Sequence, residues 1–348
     1  TDYGDYLMKP LFMWAGGKNK MLAKYEDHLP DSFTSYIEPF FGGGAMFIWA
    51  YQQNPDADFF INDINPHIMG IYESVKDNPR DFCKYMDGLQ KDFLSLDPPT
   101  LRTKERIGGK DKVKWMPHPT GAPDKDLEKS YKLKGNTFDW VKIYEEKPTR
   151  RSFFFKTRQL YQENQSGWSK VEKDAVLYFL MKTAFNGVWQ VSKKNGAFNT
   201  PCGLMRQADR VYDKENVMKW HQALQKCTIM SGDFSNTLSK IGPNSFTFLD
   251  PPYRSGTDDS DKTFANYDTK MDDDFQETVL DFFAKARYNR SYTLLSNRDW
   301  GDGFFEKRSG QNKIVYFDVT YTVGRKKKDK ESGKHAATKA REILIIGK

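Results

Sequence analysis

Residues 35–63 constrain the fold more than any other stretch of the chain. Ser35-Tyr36-Ile37-Glu38-Pro39-Phe40-Phe41 reads as a short strand running into a turn, and Gly42-Gly43-Gly44 follows. Ala45-Met46-Phe47-Ile48-Trp49-Ala50-Tyr51 then reads as a buried helix. Asp58-Phe59-Phe60-Ile61-Asn62-Asp63 reads as a second strand that ends in an acid. Glycines between a strand and a helix let the backbone approach a ligand closely. An acid about 20 residues further on suits ribose hydroxyls. The unit predicts the opening of a doubly wound α/β domain with a nucleoside-containing cofactor. The glycines lack the dinucleotide spacing, which argues against NAD, and Gly16-Gly17-Lys18 lacks the pattern of a phosphate loop.

A second junction carries chemistry. The apolar run Ser245-Phe246-Thr247-Phe248-Leu249 leads directly into Asp250-Pro251-Pro252-Tyr253. Two prolines fix the backbone in extended form and remove two N–H donors. A carboxylate, carbonyl acceptors and an aromatic ring remain at the end of a buried strand. That set suits an exocyclic amino group on a flat base: the amine donates and the ring stacks. An ordinary Asp-Pro turn with a surface tyrosine is the competing reading of the motif taken alone.

The net charge of +7 is unevenly spread. Residues 101–150 hold 13 Lys/Arg against 8 Asp/Glu, an excess of +5. Residues 321–348 hold 9 against 3, an excess of +6, so the remainder is negative. Local basic charge suits a phosphate-bearing partner, although charge runs are commonly solvated loops. Pro98, Pro99, Gly108, Gly109, Pro117, Pro119 and Pro123 break periodicity in 97–150, which reads as a long irregular insertion or a poorly ordered segment. Residues 64–96 read as helical with interruptions at Pro66 and Pro79, and residues 171–185 as a helix with a buried face. Later strands are expected at Thr228–Ser231, Phe246–Asp250, Tyr292–Ser296, Lys313–Tyr321 and Glu342–Ile346, the last two as a hairpin. Cys83, Cys202 and Cys227 lie far apart, so neither zinc nor a disulfide framework is expected. Thr1-Asp2-Tyr3-Gly4-Asp5 is not a secretory signal, no apolar run is long enough to span a bilayer, and an intracellular location is expected.

Seven segments, in order, resemble the Dam-type (D12 class) DNA adenine-N6 methyltransferases. They are Phe12-Met13-Trp14-Ala15-Gly16-Gly17-Lys18, Glu38-Pro39-Phe40-Phe41-Gly42-Gly43-Gly44, Asn62-Asp63-Ile64-Asn65, Phe185-Asn186-Gly187, Gly196–Pro201, Asp250-Pro251-Pro252-Tyr253 and Leu295-Ser296-Asn297. The resemblance covers roughly residues 9–96 and 150–348. It implies an α/β fold: an S-adenosylmethionine-dependent methyltransferase (Rossmann-like) sheet with an inserted, mostly helical DNA-recognition domain. The implied boundaries are 1–75 and 216–348 for the catalytic domain, and 76–215 for DNA recognition, including the basic insertion at 97–150. The implied cofactor is S-adenosyl-L-methionine, contacted by Trp14, Lys18, Glu38, Phe40, Gly42, Gly44, Asp63 and Asp250. The implied partner is double-stranded DNA containing a target adenine, with no metal and no membrane.

On that resemblance Asp250, Pro251, Pro252 and Tyr253 are the catalytic residues. Asp250 and the Pro251 carbonyl would each accept one amino hydrogen and favour a tetrahedral nitrogen, while Tyr253 stacks on a base flipped out of the duplex. Asn186 would fill the gap left in the helix. Gln190 stands where the best-known members carry an arginine that reads guanine; Gln pairs better with adenine, which puts a GATC target in doubt. Lys193, Lys194, Arg325, Lys326 and Lys327 are expected near phosphates. An RNA or single-strand adenine methyltransferase and a catalytically silent DNA-binding relative are the competing readings.

Overall fold

The structure, a computed structural model, describes residues 8–163, 167–203, 209–255, 273–321 and 338–348. Its strands are β1 (Ser35–Glu38), β2 (Asp58–Asp63), β3 (Thr100–Ile107), β4 (Lys110–Pro117), β5 (Cys227–Ser231), β6 (Ser245–Leu249), β7 (Tyr292–Asp299), β8 (Lys313–Tyr321) and β9 (Thr338–Gly347). Its α-helices are α1 (Leu22–Tyr25), α2 (Ala45–Gln53), α3 (Pro66–Asp77), α4 (Pro79–Leu94), α5 (Lys125–Ser130), α6 (Trp140–Glu146), α7 (Arg150–Gln162), α8 (Lys170–Thr183), α9 (Lys214–Leu224), α10 (Asp273–Tyr288) and α11 (Phe304–Arg308). Two compact units result. One contains residues 8–10, Ala15–Met69 and Ala223–Lys348; the other contains Leu11–Trp14 and Gly70–Gln222.

The first unit is built on a seven-stranded sheet in the order β5-β2-β1-β6-β7-β9-β8. The five strands from β5 to β7 are parallel, and β9 pairs antiparallel with both β7 and β8. Every residue of β6 is buried, as the apolar run requires of a central parallel strand covered on both faces. One layer of core packs Ile37, Leu249, Leu295 and Ile345 against Val279, Phe282 and Phe283 of α10. Elsewhere in this unit Phe33, Tyr36, Trp49 and Phe246 form an aromatic cluster with centroids 5.4–6.4 Å apart. The chain enters at β1, extends to β2 and β5 on one side, then returns to β6 on the other. The β1/β6 boundary is therefore the topological switch point, where open α/β sheets bind ligands beyond the carboxyl ends of their strands.

The second unit is mostly helical. Phe93 of α4, Phe153 of α7 and Phe179 of α8 meet with centroids 5.4–6.0 Å apart. Thr149 and Ser152 form a reciprocal capping box that starts α7. The helical stretch breaks before Pro79 as expected, and Pro66 and Pro79 open α3 and α4, because a proline in the first turn forfeits an N–H that has no helical partner.

The reading of 97–150 as irregular is corrected here. Residues 100–117 form a two-stranded antiparallel ribbon with Thr100 opposite Pro117 and Ile107 opposite Lys110, and α5 and α6 follow. Gly108 and Gly109, taken in sequence as breakers, both have positive φ (61° and 76°) and make the two-residue turn that matches strand twist.

Candidate active site

The carboxyl ends of three adjacent strands carry three acids: Asp63 ends β2, Glu38 ends β1 and Asp250 follows β6. Asp250 pairs with a buried cation. Its Oδ1 lies 3.0 Å from Lys18 Nζ and accepts a 2.7 Å hydrogen bond from Ser296 Oγ on β7. Lys18 is 4 % exposed and also donates to the Gly16 carbonyl at 2.8 Å. Burial by itself would lower the Lys18 ammonium, but the Asp250 carboxylate, with Tyr25 and Glu342, outweighs it and holds the group above its ordinary range. Lys18 thus stays charged. Its Nζ also lies 4.6 Å from the Tyr253 ring centroid, a cation–π contact on one face of that ring.

The Asp-Pro-Pro-Tyr segment is held by groups from α10 and β7. Gln276 donates to the Pro252 carbonyl (3.0 Å), and Asn297 donates to Gln276 Oε1 (2.9 Å) while accepting from the Arg254 N–H (2.8 Å). Trp300 donates to the Arg254 carbonyl at 2.8 Å. The Arg254 guanidinium bonds Asp273 and Asp302 and sits 4.1 Å from the Phe304 ring centroid. Sequence reasoning assigned no role to Ser296, Gln276, Asn297 or Arg254. Ser296 and Asn297 stood in a recognisable motif, but nothing local revealed what they touch.

Asp63 is 6 % exposed, and its two oxygens accept from the Gly42 and Asn65 N–H groups, each at 2.9 Å. It therefore shapes the glycine turn. An ionised carboxylate keeps further acceptor capacity on both oxygens, so this role leaves ribose binding open to it. Gly44, at φ 72°, must be glycine: a Cβ there would lie 2.6 Å from the Phe41 ring. Glu38 accepts from the Tyr36 hydroxyl at 2.6 Å, and burial pushes its carboxyl well above the usual range. The Phe40 ring packs on Phe234 at 5.0 Å. Tyr25 is a further residue that sequence reasoning missed. Its hydroxyl is buried without a hydrogen-bond partner among the described residues, within electrostatic reach of Tyr253, Lys18, Glu342 and Asp250.

Lys18, Glu38, Phe40, Gly42, Gly44, Asp63, Asp250, Pro251, Pro252 and Tyr253 all belong to the first unit. Trp14, Asn186, Gln190, Lys193 and Lys194 belong to the second. Trp14 packs there on Phe12 and Trp189, each 5.9 Å away. Asn186 is exposed and left-handed, at φ 52°. Gln190 is exposed, and its backbone is pinned between the Thr200 hydroxyl and the Asn199 N–H, each at 3.0 Å. Lys193 and Lys194 are exposed in the same loop, which the Val191–Phe198 bridge closes. Arg325, Lys326 and Lys327 lie outside the described residues. Among the described residues no cluster of His, Cys, Asp and Glu is arranged to hold a metal ion, and no helix is long and apolar enough to cross a membrane.

The model of the D12 class N6 adenine-specific DNA methyltransferases matches residues 14–104 and 125–301. The chain belongs to that family. The match includes the acid-tipped strands, Lys18 and the whole Asp-Pro-Pro-Tyr segment, and the family reaction is adenine methylation of DNA. Among its relatives, the type II methyltransferase M.MjaIII of Methanocaldococcus jannaschii is 29 % identical over 92 % of this chain and 96 % of its own length. Type II methyltransferase M.CviBI of Paramecium bursaria Chlorella virus NC1A is 22 % identical over 84 % and 85 %. DNA adenine methylase of Vibrio cholerae is 22 % identical over 82 % and 80 %. The resemblance and the sheet-plus-helices fold read from sequence are both borne out.

Proposed function

We propose that this member of the family transfers the methyl group of S-adenosylmethionine to the N6 amine of an adenine flipped out of duplex DNA, and that Asp250 is its central catalytic residue. The observation that carries this reading is the position of Asp250 at the switch point, with both donors, Lys18 and Ser296, on Oδ1. Oδ2 is then the oxygen offered to an incoming amine. The residues present fit the cofactor: a glycine turn in which a Cβ at Gly44 would strike the Phe41 ring, and acids at neighbouring strand ends, among them Asp63 for hydroxyls. Asp63 would hold the ribose, and the Gly42–Gly44 turn would lie against the methionine part. When bound, S-adenosylmethionine supplies an electrophilic methyl group on a sulfonium.

The chain's own residues prepare the amine. Asp250 Oδ2 and the Pro251 carbonyl each accept one amino hydrogen and draw the nitrogen lone pair out of conjugation. As the N–C bond forms and the methyl–sulfur bond breaks, positive charge grows on nitrogen; the carboxylate stabilises it without reorganising, because Lys18 and Ser296 fix its orientation, and then accepts the proton that the methylated amine sheds. Adenine stacks on the face of Tyr253 turned away from Lys18. Flipping the base costs a few kcal/mol, offset in part by Asn186 entering the duplex. The Gln190 amide matches the donor–acceptor pair of adenine better than that of guanine. Expression in a host without adenine methylation, followed by sequencing with modified-base detection, is expected to reveal N6-methyladenine at one recurring sequence. Unmodified DNA together with labelled RNA would favour the RNA reading.

Asp63 gives a pH signature. Burial pushes its carboxyl up to about 6, against the lowering effect of the Asn65 and Gly42 N–H groups. A folded pKa raised above the unfolded value means that protonation stabilises the ligand-free fold at low pH, and that this contribution is lost as pH rises through about 6. Cofactor affinity runs the opposite way, because the ionised form has the acceptor capacity for two hydroxyls. Titration calorimetry is expected to show Kd steady above about pH 7 and weakening by up to about tenfold per unit below about pH 6. Asp63→Asn should flatten this profile. A wild-type Kd that ignores pH across this window would remove Asp63 from the ribose site.

A further inference from the structure

The ribbon of β3 and β4 has no role in the chemistry above, and most of it falls in the interval 105–124 that the family match skips. Its root is built firmly. Arg150 donates to the Leu94 and Leu96 carbonyls and its N–H to that of Asp97, and the His118 N–H bonds the Pro99 carbonyl at 3.1 Å. Gly121 lies so close that a Cβ there would meet the Pro98 carbonyl oxygen at 2.0 Å. The blade differs from its root. Apart from Thr100, Thr103 and Trp115, which are half-buried, every residue of its strands is exposed. Both faces of the ribbon thus meet solvent. A lone two-stranded hairpin that packs on nothing is marginal, so folding alone gives no reason for strands of this length.

Its side chains point to a partner. Between 100 and 117 stand Arg102, Lys104, Arg106, Lys110, Lys112 and Lys114 against Glu105 and Asp111, a net +4, which is most of the +5 excess of the 101–150 window. The register divides the cations equally. Arg102, Lys104 and Arg106 share one face with Val113 and Trp115; Lys110, Lys112 and Lys114 share the other with Leu101, Ile107 and Met116. A protein interface is normally depleted of lysine, and this ribbon is dense in it. Eight residues of strand extend about 26 Å, the rise of roughly eight base pairs, so cations along the ribbon can meet successive phosphates.

We propose that the β3–β4 ribbon is a DNA-contacting arm that lies along duplex and binds phosphates without reading bases. The proposal rests on the reading that the substrate is duplex DNA. In the test, the six cations are replaced together by Gln in the full chain, and DNA binding is measured from low to physiological salt beside methyl transfer at saturating duplex. All six side chains are exposed, so the variant should fold and keep its rate at saturating DNA. Its affinity should fall by about 10- to 100-fold at physiological salt, equally for all flanking sequences. The slope of log K against log salt should shrink by about 0.9 for each phosphate that the variant no longer neutralises. Equal slopes and affinities in two proteins that both methylate duplex overturn the arm alone. So does loss of a protein partner by the variant while its DNA binding is unchanged. A wild-type chain that does not methylate duplex DNA overturns the substrate reading, and the arm with it.

Discussion

Asp250→Asn is expected to lower methyl transfer by about 10³-fold or more while the chain stays folded and still binds its cofactor. Removal of one preorganised group that meets developing charge typically costs about 10²–10³ in rate, and Asp250 would both accept the amino hydrogen and stabilise the charge that follows. The amide is the right probe because of Lys18. Truncation to Ala would strand an ammonium that is 4 % exposed and deprived of its carboxylate, which confuses a folding defect with a chemical one. Asn keeps an acceptor oxygen for Lys18 and Ser296 but carries no charge. Single-turnover transfer with saturating cofactor and DNA, read beside a melting curve, separates these effects. Transfer within about tenfold of wild type would remove Asp250 from the catalytic role.

Lys18→Met is expected to be the most destabilising single change in the site. Breaking a buried ion pair on one side costs about 3–5 kcal/mol. The low end applies here, because Asp250 remains 19 % exposed and keeps the Ser296 hydroxyl. Urea unfolding measures that loss. The kinetic consequence distinguishes two roles for the lysine. If Lys18 orients Asp250, kcat falls by about 10²-fold and stays low at saturating cofactor. A variant rescued to the wild-type kcat by excess cofactor would assign Lys18 to cofactor binding alone.

Much of this site was legible in the sequence because strand-end motifs are local. The run 245–249 had to be a buried strand, and two prolines after it had to leave a carboxylate at its tip. The glycine turn and Asp63 were legible for the same reason, although Asp63 proves to brace that turn through the Gly42 N–H. What the sequence hid are pairings between distant segments. Nothing local to Lys18 marked it as the ion-pair partner of Asp250, which lies more than 200 residues away in the chain. Gln276 and Asn297 fix the Asp-Pro-Pro-Tyr backbone from a helix and a neighbouring strand, and no local signal gives the distance between them. The β3–β4 ribbon was missed for a different reason. Cations on both of its faces erase the apolar–polar alternation that normally marks a strand, so Gly108-Gly109 looked like a break rather than a turn.

Asp250, oriented by Lys18 and Ser296, is proposed to direct methylation to the exocyclic amine of adenine. The most direct measurement incubates purified wild type and Asp250→Asn with methyl-labelled S-adenosylmethionine and unmodified duplex DNA, then identifies the labelled nucleoside after complete digestion. The expected result is label in N6-methyldeoxyadenosine for the wild type and almost none for the variant. Label in a cytosine derivative, or equal labelling of adenine by both proteins, would contradict it.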